Sequence, residues 1–337
     1  MAGGQERVLR RRIKSVQSTK KITKAMELIS ASRIAKAQER VVAARPYSEQ
    51  ITKVIRNLAA AGAGGDSALL NPRSEITTVA YVVVAADRGL AGGYNSAVIR
   101  TAERAMAADH AAGRETALIT VGKKATGYFR YRGYEIAQSF VGFSDSPEYE
   151  NAREVARHVA ENFETGTYSE VKLAYTQFKS MGVQVVELAQ YMPLDTSEIT
   201  AGEGIETGPP ADYEFEPTPS TILERLLPRY AEARLYASLL DAAASEHAAR
   251  QRAMKSATEN AEDMIVKLSR VMNRARQDSI TTEIMEIVGG AEALRQAATS
   301  GSDLLVDRVN VEELFQIRTG IAGEPPRSLH FSAGDPQ

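Results

Sequence analysis

Two long runs with a heptad pattern, one at each end of the chain, restrict most strongly what this sequence can fold into. Apolar and small residues recur in steps of four and three through residues 221–294, and no proline interrupts the run after Pro228. The same rhythm is present in residues 7–58. Such spacing predicts long helices whose apolar stripes face each other. We therefore predict a long antiparallel two-helix coiled coil formed by the N- and C-terminal helices.

The predicted seam of this coil is rich in Ala, Ser, Thr and Gln, so two backbones can approach closely while burying little apolar area. His247 occupies a seam position and is expected to be a packed polar residue that helps to set the register. The predicted seam of the C-terminal helix continues through Met254, Thr258, Ile265 and Met272 to Ser279 and Thr282. That of the N-terminal helix comprises Ala37, Val41, Ala44, Ser48, Ile51, Ile55 and Leu58, and Ile13, Val16, Ile22, Met26 and Ile29 continue it toward the start.

The middle of the chain alternates between strand-like and helix-like segments. Residues 77–86 (TTVAYVVVAA) form a β-branched run that is typical of a buried strand. Strands and helices in alternation indicate a parallel sheet with crossover helices, so we predict a small Rossmann-like α/β domain inserted between the two coiled-coil helices. The other predicted strands cover residues 116–121, 134–140, 171–178 and 183–191, and the predicted helices cover residues 95–112, 123–132 and 148–164.

These patterns predict five segments. Residues 1–60 form the N-terminal coiled-coil helix, and residues 75–195 form the Rossmann-like domain. A polar, Pro- and Gly-rich linker covers residues 196–219. The C-terminal coiled-coil helix follows over residues 220–294, and the extension of residues 295–337 is expected to be largely disordered.

Composition excludes several classes of function. The chain has 337 residues and no cysteine, which excludes disulfides, thiolate metal sites and thiol nucleophiles. No apolar run approaches the length of a membrane-spanning helix, and residues 1–14 lack the apolar core of a secretory signal. The four histidines are scattered without metal-ligand spacing. We expect no catalytic residues, no metal site and no cofactor, and a cytoplasmic bacterial protein.

The charge is unevenly distributed along the chain. Residues 1–58 contain fourteen Lys or Arg against four Asp or Glu, although the whole chain has a net charge of -2. A basic helix of this kind is either a solvated face or a surface that attracts an acidic partner or nucleic acid. No base-reading or stacking motif accompanies it, so we expect no nucleic acid as a partner.

A Gly-rich turn follows the first predicted strand at residues 87–95 (DRGLAGGYN). By its position before a helix it could hold a phosphate. Its spacing is neither a dinucleotide fingerprint nor a P-loop, because no Gly-Lys-Ser/Thr ends it. We therefore predict a tight strand-to-helix turn without a ligand.

Three stretches resemble the gamma subunit of F-type ATP synthases. They are residues 13–38 (IKSVQSTKKITKAMELISASRIAKAQ), the turn at residues 87–95, and residues 245–291 with their ending ARQDSITTEIMEIVGGA. The resemblance covers both helical runs and the layer between them, from about residue 4 to residue 294. In the C-terminal part of the chain, the residues that match the pattern of the family are Ile280, Thr281, Glu283, Glu286, Gly290 and Ala291.

The resemblance implies a rotor shaft that couples rotation of a membrane c-ring to the catalytic cycle of the beta subunits in a proton-translocating ATP synthase. The implied partners are the hexameric ring of alpha and beta subunits, the epsilon subunit and the c-ring. Catalysis then belongs to the beta subunits, and this chain by itself is no enzyme. The implied location is the cytoplasmic face of the bacterial cell membrane, as a peripheral protein.

The resemblance also implies contact residues. Met26 and the turn with Arg88, Gly89, Gly92 and Gly93 are expected to lie against the beta subunits, and Lys24 and Arg33 are expected to meet acidic groups there. In the C-terminal helix, the residues that match ring-contacting and coupling positions of the family are Arg250, Gln277, Thr281, Glu283 and Glu286.

Two other functions stay open at this stage. A nucleotide-dependent enzyme would need a ligand at residues 89–93. A basic coiled-coil adaptor or scaffold would bind nucleic acid in a salt-sensitive way. The adaptor hypothesis uses only charge and heptads, and it gives no reason for an α/β domain to interrupt the coil.

Overall fold

A computed structural model describes residues 2–60, 67–194 and 216–305. The chain divides into two units, residues 12–267 and residues 1–11 with 268–337. The elements in chain order are α1 (Ala2–Ala60), β1 (Thr78–Val84), α2 (Tyr94–Ala111), β2 (Glu115–Val121), α3 (Lys123–Tyr131), β3 (Gln138–Phe140), α4 (Tyr149–Glu164), β4 (Glu170–Phe178), β5 (Gln184–Met192) and α5 (Pro219–Leu305).

The unit of residues 12–267 contains a five-stranded sheet in the order β3-β2-β1-β4-β5. Strands β1 to β4 pair in parallel, whereas β5 runs antiparallel to β4. The predicted α/β layer is confirmed, but the expectation of a parallel arrangement is wrong for β5. Only residues 179–183 connect β4 to β5, and so short a connection allows a hairpin but no crossover.

Two apolar cores cover the two faces of this sheet. On one face, Val79, Tyr81 and Val83 of β1 pack with α2 and α3. On the other face, Ala80 and Val82 pack with α4 and with parts of α1 and α5. Strand β1 is therefore buried on both sides, which explains its nearly continuous apolar sequence.

Within the same unit, α1 and α5 pair antiparallel. The Oγ1 atoms of Thr23 and Thr258 lie 2.8 Å apart. The Nζ atom of Lys20 lies 2.7 Å from Oε1 of Glu262. Because the partner number on α5 rises as the number on α1 falls, the helices run in opposite directions. This pairing confirms the predicted antiparallel coiled coil.

The seam of α1 differs from the prediction in its first half. Ile22 and Ile29 are 61% and 53% exposed, whereas Thr23 and Ser30 are buried. Counting back from the buried Ile34 in steps of four and seven gives Ser30 and Thr23, so the two isoleucines lie one position outside the heptad register. The residues predicted from Ala37 to Leu58 are all buried or half-buried, as expected.

The seam of α5 follows the predicted register over a longer stretch than the seam of α1 does. His247, Met254 and Thr258 are buried, and each later predicted position up to Ser279 is buried or half-buried. Thr282 is exposed, so the predicted seam is one heptad step too long. His247 is thus a packed polar residue of the seam, as predicted.

The ends of α5 also test the predicted segments. The helix continues to Leu305, beyond the predicted end at residue 294, and residues 295–305 are rich in good helix formers such as Ala, Leu, Arg and Gln. The disorder expected of the extension stays a prediction. The rest of the extension and residues 196–215 of the predicted linker lie outside the described residues. No helix in the described ranges is long and apolar enough to cross a membrane.

Candidate functional site

The Gly-rich turn at residues 87–95 connects β1 to α2 in a constrained conformation. Gly92 has a φ of +56°, and Leu90 has a φ of +63°, the one positive value for a non-glycine residue in the described chain. The side chain of Leu90 is exposed. A left-handed conformation of this kind costs a leucine roughly 1–2 kcal/mol. The surrounding contacts must therefore hold the turn in place.

Two side chains at the end of the turn anchor it to the rest of the unit. Oδ1 of Asn95 accepts a hydrogen bond of 2.8 Å from the backbone N–H of Ala86. The buried Tyr94 donates its hydroxyl to the carbonyl oxygen of Ala242 on α5, at 3.1 Å. These bonds fix both the width of the turn and its distance from α5.

Asp87 joins the turns that follow three neighbouring strands. Its carboxylate accepts backbone N–H bonds from Lys123 at 3.0 Å, from Gly142 at 2.9 Å and from Ser144 at 3.0 Å. Burial alone would raise the pKa of Asp87, but these hydrogen bonds outweigh it and lower the pKa. Asp87 is thus a charged anchor at the carboxyl end of the sheet.

Arg250 of α5 contacts the turn from the other side. Its Nε donates to the carbonyl oxygen of Gly89 at 3.2 Å. Its Nη2 donates to Oε1 of Glu246 at 2.6 Å, and Oε2 of Glu246 accepts from Oγ of Ser144 at 3.2 Å. Glu246 is fully buried. Burial raises the pKa of its carboxyl, and the guanidinium of Arg250 opposes that rise.

His247 extends these contacts to α1. Its Nε2 lies 2.9 Å from the carbonyl oxygen of Asp145, whose Oδ2 accepts from Nη1 of Arg33 at 2.6 Å. Burial lowers the pKa of His247, and the cations of Arg250 and Arg33 lower it further. We call this connected set the junction network. It comprises Arg33, Asp87, Ser144, Asp145, Glu246, His247 and Arg250.

The structure brings six of the sequence-predicted residues together here. Arg33 and Arg250 belong to the junction network, and Gly89 accepts a hydrogen bond from Arg250. The side chain of Arg88 is exposed beside them. Gly92 forms the turn, and Gly93 precedes the first residue of α2. Arg33 was expected to meet acidic groups of a partner subunit, whereas in this chain its guanidinium pairs with Asp145.

The other predicted residues lie elsewhere. Lys24 is exposed on α1 and pairs with Glu27, with 3.1 Å between Nζ and Oε1. Met26 is half-buried on the same helix. Four residues are exposed on the part of α5 that belongs to the unit with residues 268–337, and their contacts with other subunits stay predictions. They are Gln277, Thr281, Glu283 and Glu286.

Sequence reasoning missed four of the seven residues of the junction network. Asp87 was part of a quoted motif without an assigned role, and Ser144, Asp145 and Glu246 were not considered. One signal was available: Glu246, His247 and Arg250 interrupt an otherwise Ala-rich heptad run, AAASEHAAR. A cluster of charges on one helical face within a seam of small residues indicates a polar partner.

Exposed apolar side chains mark both helices. On α1 they include Ile22, Leu28 and Ile29, of which Leu28 is 60% exposed. On α5, beyond residue 268, they include Ile280, Ile284, Met285, Ile287, Val288 and Leu294. Large apolar residues that recur on exposed helical faces indicate contact surfaces for other proteins.

Comparison with known proteins connects this arrangement to one family. A family model described as ATP synthase matches residues 5–294. The chain is 50% identical over 295 residues to the ATP synthase gamma chain of Frankia casuarinae, with 86% of this chain and 98% of the relative covered. It is 47% identical over 288 residues to the ATP synthase gamma chain of Pelotomaculum thermopropionicum, with 86% and 98% covered.

Solved structures show the same fold at lower sequence identity. A chain in the OSCP/F1/c-ring structure of Euglena gracilis mitochondrial ATP synthase matches with a TM-score of 0.61 at 16% identity, over 91% of this chain and 99% of that chain. A chain in the central stalk/c-ring structure of Tetrahymena thermophila mitochondrial ATP synthase matches with a TM-score of 0.52 at 22% identity, over 70% and 99%.

Proposed function

The chain belongs to the ATP synthase gamma chain family, and we propose that it is the central rotor shaft of a proton-translocating F-type ATP synthase. It couples rotation of the membrane c-ring to the conformational cycle of the catalytic beta subunits. Its partners are the alpha and beta subunits, the epsilon subunit and the c-ring. Catalysis belongs to the beta subunits, and this chain supplies the mechanical coupling.

The observation that carries this proposal is the contrast between the inside and the outside of the coiled coil. The seam includes small and polar residues such as Thr23, Ser30 and Thr258 beside apolar ones such as Ile34 and Met254. Further large apolar residues, among them Ile22 and Leu28, are left exposed. Apolar side chains that a helix pair leaves on its outer face indicate contact with other proteins.

The outer surface also differs from one side of the pair to another. On α1 the exposed isoleucines alternate with basic residues, of which Lys20 pairs across the seam with Glu262. A ring of like subunits around such a surface meets a different side at each position. Each angular position of the shaft therefore stabilises a different set of open and closed conformations in the ring, through differential contacts.

The predicted contact residues acquire specific roles in this proposal. The junction network holds the Gly-rich turn against α5, so that the side chains of Arg88 and Leu90 project outward from a rigid support. Met26 and Lys24 present a second contact surface on α1. Gln277, Thr281, Glu283 and Glu286 present a third, on α5, and we assign all of these to contacts with the alpha and beta subunits.

The proposed location is the cytoplasmic face of the bacterial cell membrane, where the chain is peripheral. The curated relatives quoted above are bacterial, and attachment through the c-ring would retain this chain at the membrane.

Affinity purification tests the assignment directly. A tagged full-length chain, expressed in its own host, is purified from gently solubilised membranes and its partners are identified by mass spectrometry. We expect alpha, beta, epsilon and c subunits in constant proportion, resistant to moderate salt. Recovery of nucleic acid in a salt-sensitive way, without these subunits, would instead support the adaptor function and overturn the proposal.

A charge substitution tests the coupling role. Met26→Lys adds a cation to a half-buried contact position without disturbing the seam residue Thr23. We expect ATP-driven proton pumping by membrane vesicles to fall several-fold more than ATP hydrolysis. Ser32→Lys, which adds the same charge at an exposed position of α1, is the matched control and should change neither rate. An equal loss of pumping and hydrolysis in Met26→Lys would contradict a coupling role.

A further inference from the structure

The connection from β3 to α4 contacts both long helices within the unit of residues 12–267. We call residues 144–149 the bridging segment. It begins with Ser144 and Asp145 of the junction network and ends with Tyr149, the first residue of α4. Polar and aromatic side chains from α1 and from α5 contact it, so the sheet is joined to both helices at one place.

The contacts from α1 come from side chains that are seven residues apart. They are Arg33, Arg40 and Tyr47. Nη1 of Arg33 donates to Oδ2 of Asp145 at 2.6 Å. Nη1 of Arg40 donates to Oγ of Ser146, also at 2.6 Å. The ring of Tyr47 lies edge to face with that of Tyr149, with 6.5 Å between the centroids. Seven residues are about two helical turns, so one face of α1 carries all three contacts.

The contacts from α5 cover a similar length of helix. Glu246 and His247 contact the first two residues of the bridging segment. At its other end, Tyr149 donates its hydroxyl to Oε2 of Glu232 at 2.8 Å. The rings of Tyr149 and Tyr236 lie 5.6 Å apart. Because Glu232 and Glu246 are fourteen residues apart, the contacts extend over about 21 Å of α5.

The other packing of α1 is incomplete at this level. A cavity of about 830 Å³ lies between α1, α5 and the end of β4, and its lining includes Val41, Ala44 and Ser48 of the predicted seam. Pro46 lies inside α1 at the same level. A proline has no backbone N–H, so it removes one hydrogen bond from the helix. This part of α1 therefore depends on the contacts that the bridging segment provides.

Apolar packing and hydrogen bonds resist different movements of a helix. The hydrophobic effect has no direction, so it opposes separation of two packed helices more than a small shift along their axes. Hydrogen bonds weaken steeply when distance and alignment are lost, and those between charged groups are the stronger ones. The bridging segment therefore resists shifts of α1 along and around its axis that the apolar seam alone would permit.

We propose that the bridging segment holds α1 in register with α5 and transmits torque from the α/β domain to both helices. In this assignment Arg33, Arg40 and Tyr47 are positioning residues within the chain, and Arg33 is not a contact residue for a partner subunit. The register role requires one chain alone, whereas the torque role rests on the proposed rotor function.

Hydrogen exchange of the purified full-length chain, read by mass spectrometry, tests the register role. Arg33→Glu places two carboxylates side by side, Asp145→Lys places two cations side by side, and the double variant restores opposite charges. We expect the amides of residues 34–48 to exchange on the order of tenfold faster in each single variant, from the loss of one hydrogen bond between charged groups. The double variant should regain most of the protection.

Two further variants complete the exchange experiment. Lys36→Glu makes the same charge change at an exposed position of α1 and should exchange like the parent chain. Arg33→Gln/Arg40→Gln removes both cations without adding a like charge, and it serves if a charge reversal prevents folding. We expect faster exchange at residues 34–48 in this variant and unchanged protection of β1. Unchanged exchange at residues 34–48 would overturn the register role.

The torque role is measured on ATP synthase purified from the chain's own host and reconstituted in vesicles. We expect the ratio of ATP-driven proton pumping to ATP hydrolysis to fall several-fold in Arg33→Glu and in Asp145→Lys, and to recover in the double variant. A purely structural role would lower both rates together and leave the ratio unchanged. Uncoupling by Arg33→Glu without recovery in the double variant would mean that Arg33 contacts another subunit, and would overturn the proposal.

The two experiments separate this proposal from the rotor function. A chain that enters no ATP synthase complex would overturn the rotor function and with it the torque role, and the exchange experiment would still decide the register role. A chain that assembles and couples normally in all of these variants would leave the rotor function standing and overturn the torque role.

Discussion

Replacement of Asp87 by Asn tests whether the carboxyl end of the sheet is held together by one charge. The parent carboxylate accepts three backbone N–H bonds, two at Oδ2 and one at Oδ1. An asparagine keeps one oxygen, which can still accept from Gly142 and Ser144. Its NH₂ group then faces the N–H of Lys123, donor against donor, and the two retained bonds lose their ionic character.

The expected loss in the free energy of unfolding follows from these three hydrogen bonds. Hydrogen bonds to a charged group contribute about 1.5–3 kcal/mol each and neutral ones about 1 kcal/mol, so the loss of one bond and the weakening of two amount to roughly 2.5–7 kcal/mol. Urea unfolding of the full-length chain at pH 7, followed by far-UV circular dichroism, measures it. Asp263→Asn, at an exposed position on α5, is the control and should stay within about 0.5 kcal/mol of the parent chain.

The pH dependence of the same pair gives a second test. The pKa of Asp87 is lowered in the folded chain relative to its ordinary value of 3.8. Its contribution is therefore complete above about pH 4 and is lost as the pH falls from there through the folded-state pKa. We expect the stability difference between the parent chain and Asp87→Asn to shrink below pH 4. A cost under 1 kcal/mol at pH 7, or a difference that does not shrink at all as the pH falls below 4, would refute this reasoning.

Two further predictions concern packing. Gly122→Ala should destabilise the chain by more than about 3 kcal/mol in thermal unfolding, because a Cβ would lie 2.0 Å from the carbonyl oxygen of Ala85 at a φ of +93°. Gly127→Ala in α3, where nothing lies within 4 Å, should be neutral or stabilising by up to about 1 kcal/mol; similar results for both would contradict the steric argument. Thr23→Cys/Thr258→Cys should form an intramolecular disulfide on mild oxidation, because the parent Oγ1 atoms are 2.8 Å apart. Ile22→Cys/Thr258→Cys should not form this disulfide. Equal disulfide formation by the two double variants would argue against the assigned seam.

Local periodicity predicted the elements of the chain well because it depends on neighbours in sequence. The heptads of residues 221–279 and 37–58 correspond to the observed seam, and the buried run at residues 77–86 corresponds to β1. The same reasoning failed at Ile22 and Ile29, where apolar residues lie beside the register and the neighbouring Thr23 and Ser30 are the buried ones. Apolar character alone does not tell a seam residue from a contact residue on the outer face.

The pattern argument missed the direction of β5. Alternating strands and helices indicate parallel pairing, but residues 179–183 between β4 and β5 contain no helix, and a connection of this length forms a hairpin. A stricter reading of the connection length would have predicted the antiparallel edge. The element boundary at residue 294 was also set too early, since α5 continues to Leu305.

By itself, the sequence determined the two heptad helices, the α/β layer between them and, through its motifs, the family of the chain. Only the tertiary structure decided which distant groups meet: Arg33 with Asp145, and Glu246 with Ser144 and Arg250. The physical reason is that periodic burial is recorded in near neighbours along the chain. Pairing between polar groups from different elements depends on how those elements pack, which no local spacing specifies.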